Sequence, residues 1–141
     1  MKKVMLKVIT TVVIIISLLT ACNTDHKKQI TGTWQVVDAK FESKKPIDPE
    51  MQSYYITEMK SWTYTFNADS TMNVKQADQD VPNRWKLNKK GDSIIIGFGT
   101  GFFDVASKID KLTNDEMVMR TTQGTDTSLV TQILYLKKIP K

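Results

Sequence analysis

The segment SWTYTF (residues 61–66) puts Trp62, Tyr64 and Phe66 on one side of an extended chain and Thr63 and Thr65 on the other. Successive side chains of a strand point to opposite faces, so this alternation suits a strand with one buried face. The pattern recurs along the chain after residue 30. TGTWQVVDAKF (31–41) carries Val37, Ala39 and Phe41 on one parity, with Trp34 and Val36 on the other. TMNVKQ (71–76), RWKLN (84–88), SIIIGF (93–98), FDVASKIDKL (103–112), MVMRTT (117–122) and SLVTQILYLKKI (128–139) follow. NADS, KKGD, TNDE and QGTDT punctuate these runs with residues that turns favour. Eight short strands at a spacing of about 8–12 residues predict an all-β meander. A meander leaves two edges unpaired, and closing it into a barrel removes both. The expected fold is mainly β, an eight-stranded antiparallel up-and-down barrel. Such a barrel is either filled by its own side chains or holds one small ligand.

One segment breaks the alternation. In DPEMQSYYITEMK (48–60), Asp48 fits an N-cap, Pro49 the first helical position and Glu50 the first turn. Met51, Tyr54, Tyr55 and Met59 recur at i, i+3, i+4 and i+8. One short helix is therefore expected between the first two strands, its apolar face packed over a barrel end.

The N-terminus has a different character. MKKVMLK is cationic, and residues 8–21 then run without a charge. A spanning helix wants about 20 apolar residues, so the run is short for a span and suits a secretory signal peptide. It ends at Cys22, the only cysteine of the chain. Leu19-Thr20-Ala21-Cys22 resembles the lipobox of bacterial lipoproteins. That resemblance implies cleavage before Cys22, which would carry a diacylglyceryl group and an N-acyl chain such as palmitate. Two or three acyl chains hold a protein firmly where one does not. The expected organisation is a signal peptide at 1–21, a flexible tether at 22–29 and a barrel domain at 30–141. Asn23 stands where some bacteria place an inner-membrane retention Asp, so the resemblance points to the outer membrane of a bacterial envelope.

Composition narrows the function. The chain has a formal charge of +5, but Lys2, Lys3 and Lys7 lie in the leader, leaving 17 Lys and Arg against 15 Asp and Glu. No basic stripe with interleaved aromatics remains for a nucleic acid. One Cys and one His allow no internal disulfide and no four-ligand zinc site. His26 lies in the polar spacer, away from any nucleophile–base constellation. Asp48/Glu50, Asp78/Asp80 and Asp115/Glu116 fall in expected turns or at a helix start, where carboxylates bond locally. DQD (78–80) offers too few oxygens for calcium. GFGTGFF (97–103) lacks the Lys-Ser/Thr ending of a phosphate loop and reads as a bulge or loop at a barrel mouth, with Phe102 and Phe103 as core. No enzyme activity, metal or cofactor is expected.

Gly32-Thr33-Trp34 at the start of the first strand resembles the Gly-x-Trp signature of lipocalins, in which the Trp closes the barrel base. TYTFNADST, RWKLNKKGDSI and IDKLTNDEMVM resemble hairpins of bacterial lipocalin-like lipoproteins over about 110 residues. The sequence lacks the Thr-Asp-Tyr loop of animal lipocalins and their last-strand Arg that stacks on the Trp. Arg120 and Lys137 are the cations that could replace the latter. The resemblance implies a lipocalin-like barrel tethered to the membrane through Cys22. Its guest would be a small apolar or amphipathic ligand, and Trp62, Tyr64, Phe66, Trp85 and Tyr135 are the candidate ligand-binding residues. The alternative is a side-chain-filled barrel that docks another envelope protein. Period-two alternation separates two faces without saying which is inside.

Overall fold

A computed structural model describes residues 25–97 and 104–140. Residues 1–24, where the sequence leads one to expect a signal peptide ending before Cys22, and residues 98–103, which include Phe102 and Phe103, lie outside the described residues. Helix α1 occupies residues 25–30. The strands are β1 (Gly32–Ser43), β2 (Thr63–Phe66), β3 (Thr71–Gln76), β4 (Gln79–Leu87), β5 (Ser93–Gly97), β6 (Val105–Leu112), β7 (Glu116–Gln123) and β8 (Val130–Lys138), with helix α2 (Pro49–Met59) between β1 and β2. Each strand pairs antiparallel with the next and β8 closes onto β1, giving the eight-stranded up-and-down barrel that the alternation predicts.

The register shows which residues point inward. Trp34, Val36, Tyr64, Phe66, Met72, Val74, Trp85, Ile94, Met117, Met119, Leu134 and Leu136 form the core. Two irregularities adjust the parity. The β1–β8 register shifts between Val36 and Asp38, and the β6–β7 register between Ile109 and Lys111. An extra residue in one strand of a pair reverses the facing of everything beyond it. Trp34 and Val36 therefore share the interior with the row of Ala39: Ala39 is buried and Phe41 packs on the core, although sequence parity divides them. Val37, at the shift, is left 39 % exposed.

The two barrel ends differ. Gly32, Leu112 and Lys138 stand at the base, and Ser43, Gln76 and Gln123 at the mouth. Helix α1 closes the base. His26 Nδ1 donates to Gly91 O at 2.9 Å, and Lys27 Nζ to Ser70 Oγ at 3.1 Å. Residues 25–29, placed by the sequence in the flexible tether, are thus helical and bonded to two base turns.

Helix α2 starts as its sequence predicts. Asp48 Oδ1 accepts from Met51 N at 2.9 Å, with Pro49 in the first turn. Its orientation differs from the expectation. Met59 is buried and Ile56 packs on the core, whereas Met51, Tyr54 and Tyr55 are 54, 66 and 46 % exposed. The stripe turned inward is Gln52 and Ile56, both partly buried, with buried Met59, at i, i+4 and i+7, so the Tyr face looks outward.

Candidate functional site

The base is solid. Trp34 is fully buried, and its Nε1 donates to Ile30 O at 2.7 Å. The last carbonyls of α1 need partners because a helix leaves its C-terminal C=O groups unpaired. Thr31 N donates to Lys27 O at 3.0 Å, Lys138 Nζ to Gln29 O at 2.7 Å, and Trp34 to Ile30 O. The Lys138 ammonium also lies 5.0 Å from the centre of the Trp34 ring. Lys138 therefore supplies the cation against the signature Trp, rather than Arg120 or Lys137. Residue 138 pairs with Trp34 and shares its facing, while Lys137 faces out. Arg120 lies on the outer wall, donating from Nε to Asp110 Oδ2 at 2.7 Å. Gly32 has φ +133°, a conformation other residues rarely adopt, and a Cβ there would stand 2.7 Å from Lys138 Cε. The Gly-x-Trp pair thus sets the backbone and the lid of the base.

Aromatic packing continues upward. Phe66 and Trp85 meet edge to face at 5.2 Å, and Tyr64 stacks on Phe66 at 6.3 Å. Trp85 Nε1 donates to Asn67 O at 3.0 Å, and Lys27 Nζ lies 5.7 Å from the Trp85 ring centre. Burial pushes the Tyr64 phenol up to about 12, so at neutral pH it is an uncharged donor and no base.

Toward the mouth several inward side chains keep contact with solvent. Phe41, Val81, Asn83, Ile96, Val105 and Gln132 share the facing of buried core residues through their ladder partners, yet each is half-buried. Leu87, Ile109 and Leu112, inward but nearer the base, also keep some solvent contact. Polar groups stand among these apolar walls. Ser107 and Thr121, both buried, bond hydroxyl to hydroxyl at 2.7 Å, and Gln132 Nε2 donates to Met59 Sδ at 3.1 Å. Trp62 packs half-buried against the core, and its Nε1 is the single buried side-chain polar atom without a partner among the described residues. A concave apolar wall with few polar groups is the usual make-up of a small-molecule site.

The five aromatic candidates separate. Tyr64, Phe66 and Trp85 are core and Trp62 lies at the core's edge, but Tyr135 points out of the barrel and is 37 % exposed. Tyr135 pairs with Asp38 beside the β1 irregularity, on the outer row. It lines a surface groove of about 380 Å³ with Val37, Val118 and Lys137. A second groove, of about 320 Å³, lies outside β4 and β5 against Arg84, Lys86 and Ile95. The mouth residues Phe41, Val81, Ile96, Val105 and Gln132 were not singled out from the sequence. Their periodicity was visible, but the ladder alone reveals which end they occupy.

The carboxylates have local roles. Asp80 Oδ1 accepts from Asn73 Nδ2 at 2.9 Å within the β3–β4 ladder, a strand position rather than a turn. Lys111 bonds to Glu116 and holds its carboxyl below the usual range. No group of three or more His, Cys, Asp or Glu residues suited to a metal occurs among the described residues.

No curated protein matches the chain significantly. Residues 30–119 match the lipocalin-like domain, a family whose members are generally binding proteins rather than enzymes. The match and the closed eight-stranded barrel show that this chain belongs to the lipocalin-like domain family.

Proposed function

We propose that this protein is a bacterial envelope lipoprotein, anchored through acyl chains on Cys22 to the outer membrane, whose barrel mouth binds a small apolar or amphipathic ligand. The observation that carries the binding reading is the contrast along the barrel axis. At the mouth Phe41, Val81, Asn83, Ile96, Val105 and Gln132 are only partly buried, whereas the aromatic layer of Trp34, Phe66 and Trp85 beneath them is sealed. Apolar walls of Phe41, Val81, Ile96 and Val105 would take the hydrocarbon part of a guest. The unpartnered Trp62 N–H would meet an acceptor on it. The anchor reading is supported by the charged start, the uncharged run at 8–21 and Leu19-Thr20-Ala21-Cys22. No helix among the described residues is long and apolar enough to cross a membrane.

Native mass spectrometry of the protein from its own envelope, with a competed hydrophobic-dye titration, tests the ligand. A co-purifying small molecule or one saturable site is the expected result, and a bare mass with no dye uptake refutes it. Mass spectrometry of the N-terminus tests the anchor separately: acylated Cys22 is expected, and a free thiol refutes it. A second reading, docking to an envelope protein, is favoured by the outward Met51-Tyr54-Tyr55 face of α2. Tyr54 and Tyr55 form an edge-to-face pair at 5.8 Å, a rigid aromatic patch of the kind interfaces favour.

A further inference from the structure

The tether that the sequence places at 22–29 is mostly taken up by α1. Only Asn23 and Thr24 separate Cys22 from Asp25, the first described residue of that helix. Three residue steps reach about 11 Å even when fully extended. α1 is fixed beneath the barrel by the His26–Gly91 and Lys27–Ser70 bonds and by Ile30, which is wholly buried. The attachment point is therefore tied to the base. Strand β1 runs 12 residues from base to mouth, which at about 3.3 Å per residue and a tilt near 40° lifts the mouth about 30 Å.

Resting on the anchored reading, we propose that the closed base is a membrane-docking surface that meets the phospholipid headgroups around Cys22, so that the mouth faces the aqueous side. Exposed Lys28, Lys89 and Lys90 stand on α1 and the neighbouring β4–β5 turn, where they reach headgroup phosphates. Asp25, Asp69, Asp92 and Asp115 share this end, so the short tether rather than net charge sets the orientation. The mouth is less suited to an anionic surface. Three Lys and three carboxylates cancel over residues 44–62, and Asp78, Asp104 and Asp126 remain on the other mouth connections. A guest then enters from the aqueous phase, and the Tyr54–Tyr55 patch also stands clear of the bilayer.

The test uses the full lipidated protein in phosphatidylethanolamine–phosphatidylglycerol vesicles. Acylation consumes the only native thiol, so Lys90→Cys at the base and Asp78→Cys at the mouth hairpin each accept one fluorophore. With a quencher on the lipid headgroups, the label at 90 is expected to be quenched several-fold more than the label at 78. A Gly-Ser run inserted between Thr24 and Asp25 should shrink that difference. Equal quenching, reversed quenching or none at either position, in protein that floats with the vesicles, overturns the orientation. Protein that carries no acyl mass and does not float overturns the anchor, and the orientation with it. The two failures are told apart by flotation.

Discussion

The base and the mouth of this barrel are built from the same eight strands but solve opposite problems. At the base, Ile30, Trp34, Phe66, Trp85, Ile94 and Met117 are sealed, and both indole N–H groups find carbonyls, on Ile30 and Asn67. At the mouth, Phe41, Val81, Asn83, Ile96, Val105 and Gln132 stay partly exposed, and the Trp62 N–H has no acceptor among the described residues. The contrast is between indole N–H groups that are satisfied internally and one that has no partner among the described residues. A buried orphan donor costs stability.

The sharpest way to break this contrast is Trp34→Ala. Deleting a fully buried indole and its bond to Ile30 should cost about 3–5 kcal/mol in urea unfolding. A loss under about 0.5 kcal/mol, as at surface positions, would mean the base is not the sealed end.

Tyr64 probes the boundary between the two regions. Its phenol is raised from 10.0 to about 12 by burial, so the folded state holds its proton where the unfolded state releases it. The stabilisation is fully present below pH 10 and is lost as pH rises through about 12, on the order of 2–3 kcal/mol. Tyr64→Phe should remove that part of the alkaline loss, as followed by unfolding at pH 9 to 12. Identical alkaline slopes in the two proteins would show that Tyr64 is reached by solvent.

Ser107 and Thr121 test whether polar groups in the upper barrel are matched to each other. Thr121→Val strands the Ser107 hydroxyl and should cost about 1–3 kcal/mol, whereas Ser107→Ala with Thr121→Val should be nearly neutral. If the double variant is as unstable as the single one, the pair is not isolated from water or guest. The smallest effect belongs to Tyr54→Ala on the outer face of α2, within about 0.5 kcal/mol in the same assay. A larger loss would place that face in a packed interface.

Much of the fold was legible locally. Asp48-Pro49-Glu50 starts α2, and every alternating run became a strand because pairing needs only period two and turn residues between. What failed to transfer was parity. Lys137 and Lys138 differ by one position, yet only Lys138 covers Trp34. Val37 left the row of Ala39 and Phe41 because the register shifts beside it. Tyr135 lies outside by plain alternation, as the strand neighbour of inward Leu134 and Leu136, and so apart from the inward aromatics. The Met51-Tyr54-Tyr55-Met59 stripe was genuinely periodic, but the helix rolled onto Ile56 and Met59 because these lie over the core.

The sequence by itself determined the number of strands, their order, the helix between the first two and the Gly32–Trp34 signature, since these follow from backbone preferences and the spacing of apolar side chains. Only the tertiary structure decided that α1 would seal one end, which lysine would cover Trp34, and which inward faces would be solid or open. Those outcomes depend on closure and register, which join residues more than 100 positions apart, such as Gln29 and Lys138, and no local pattern records them.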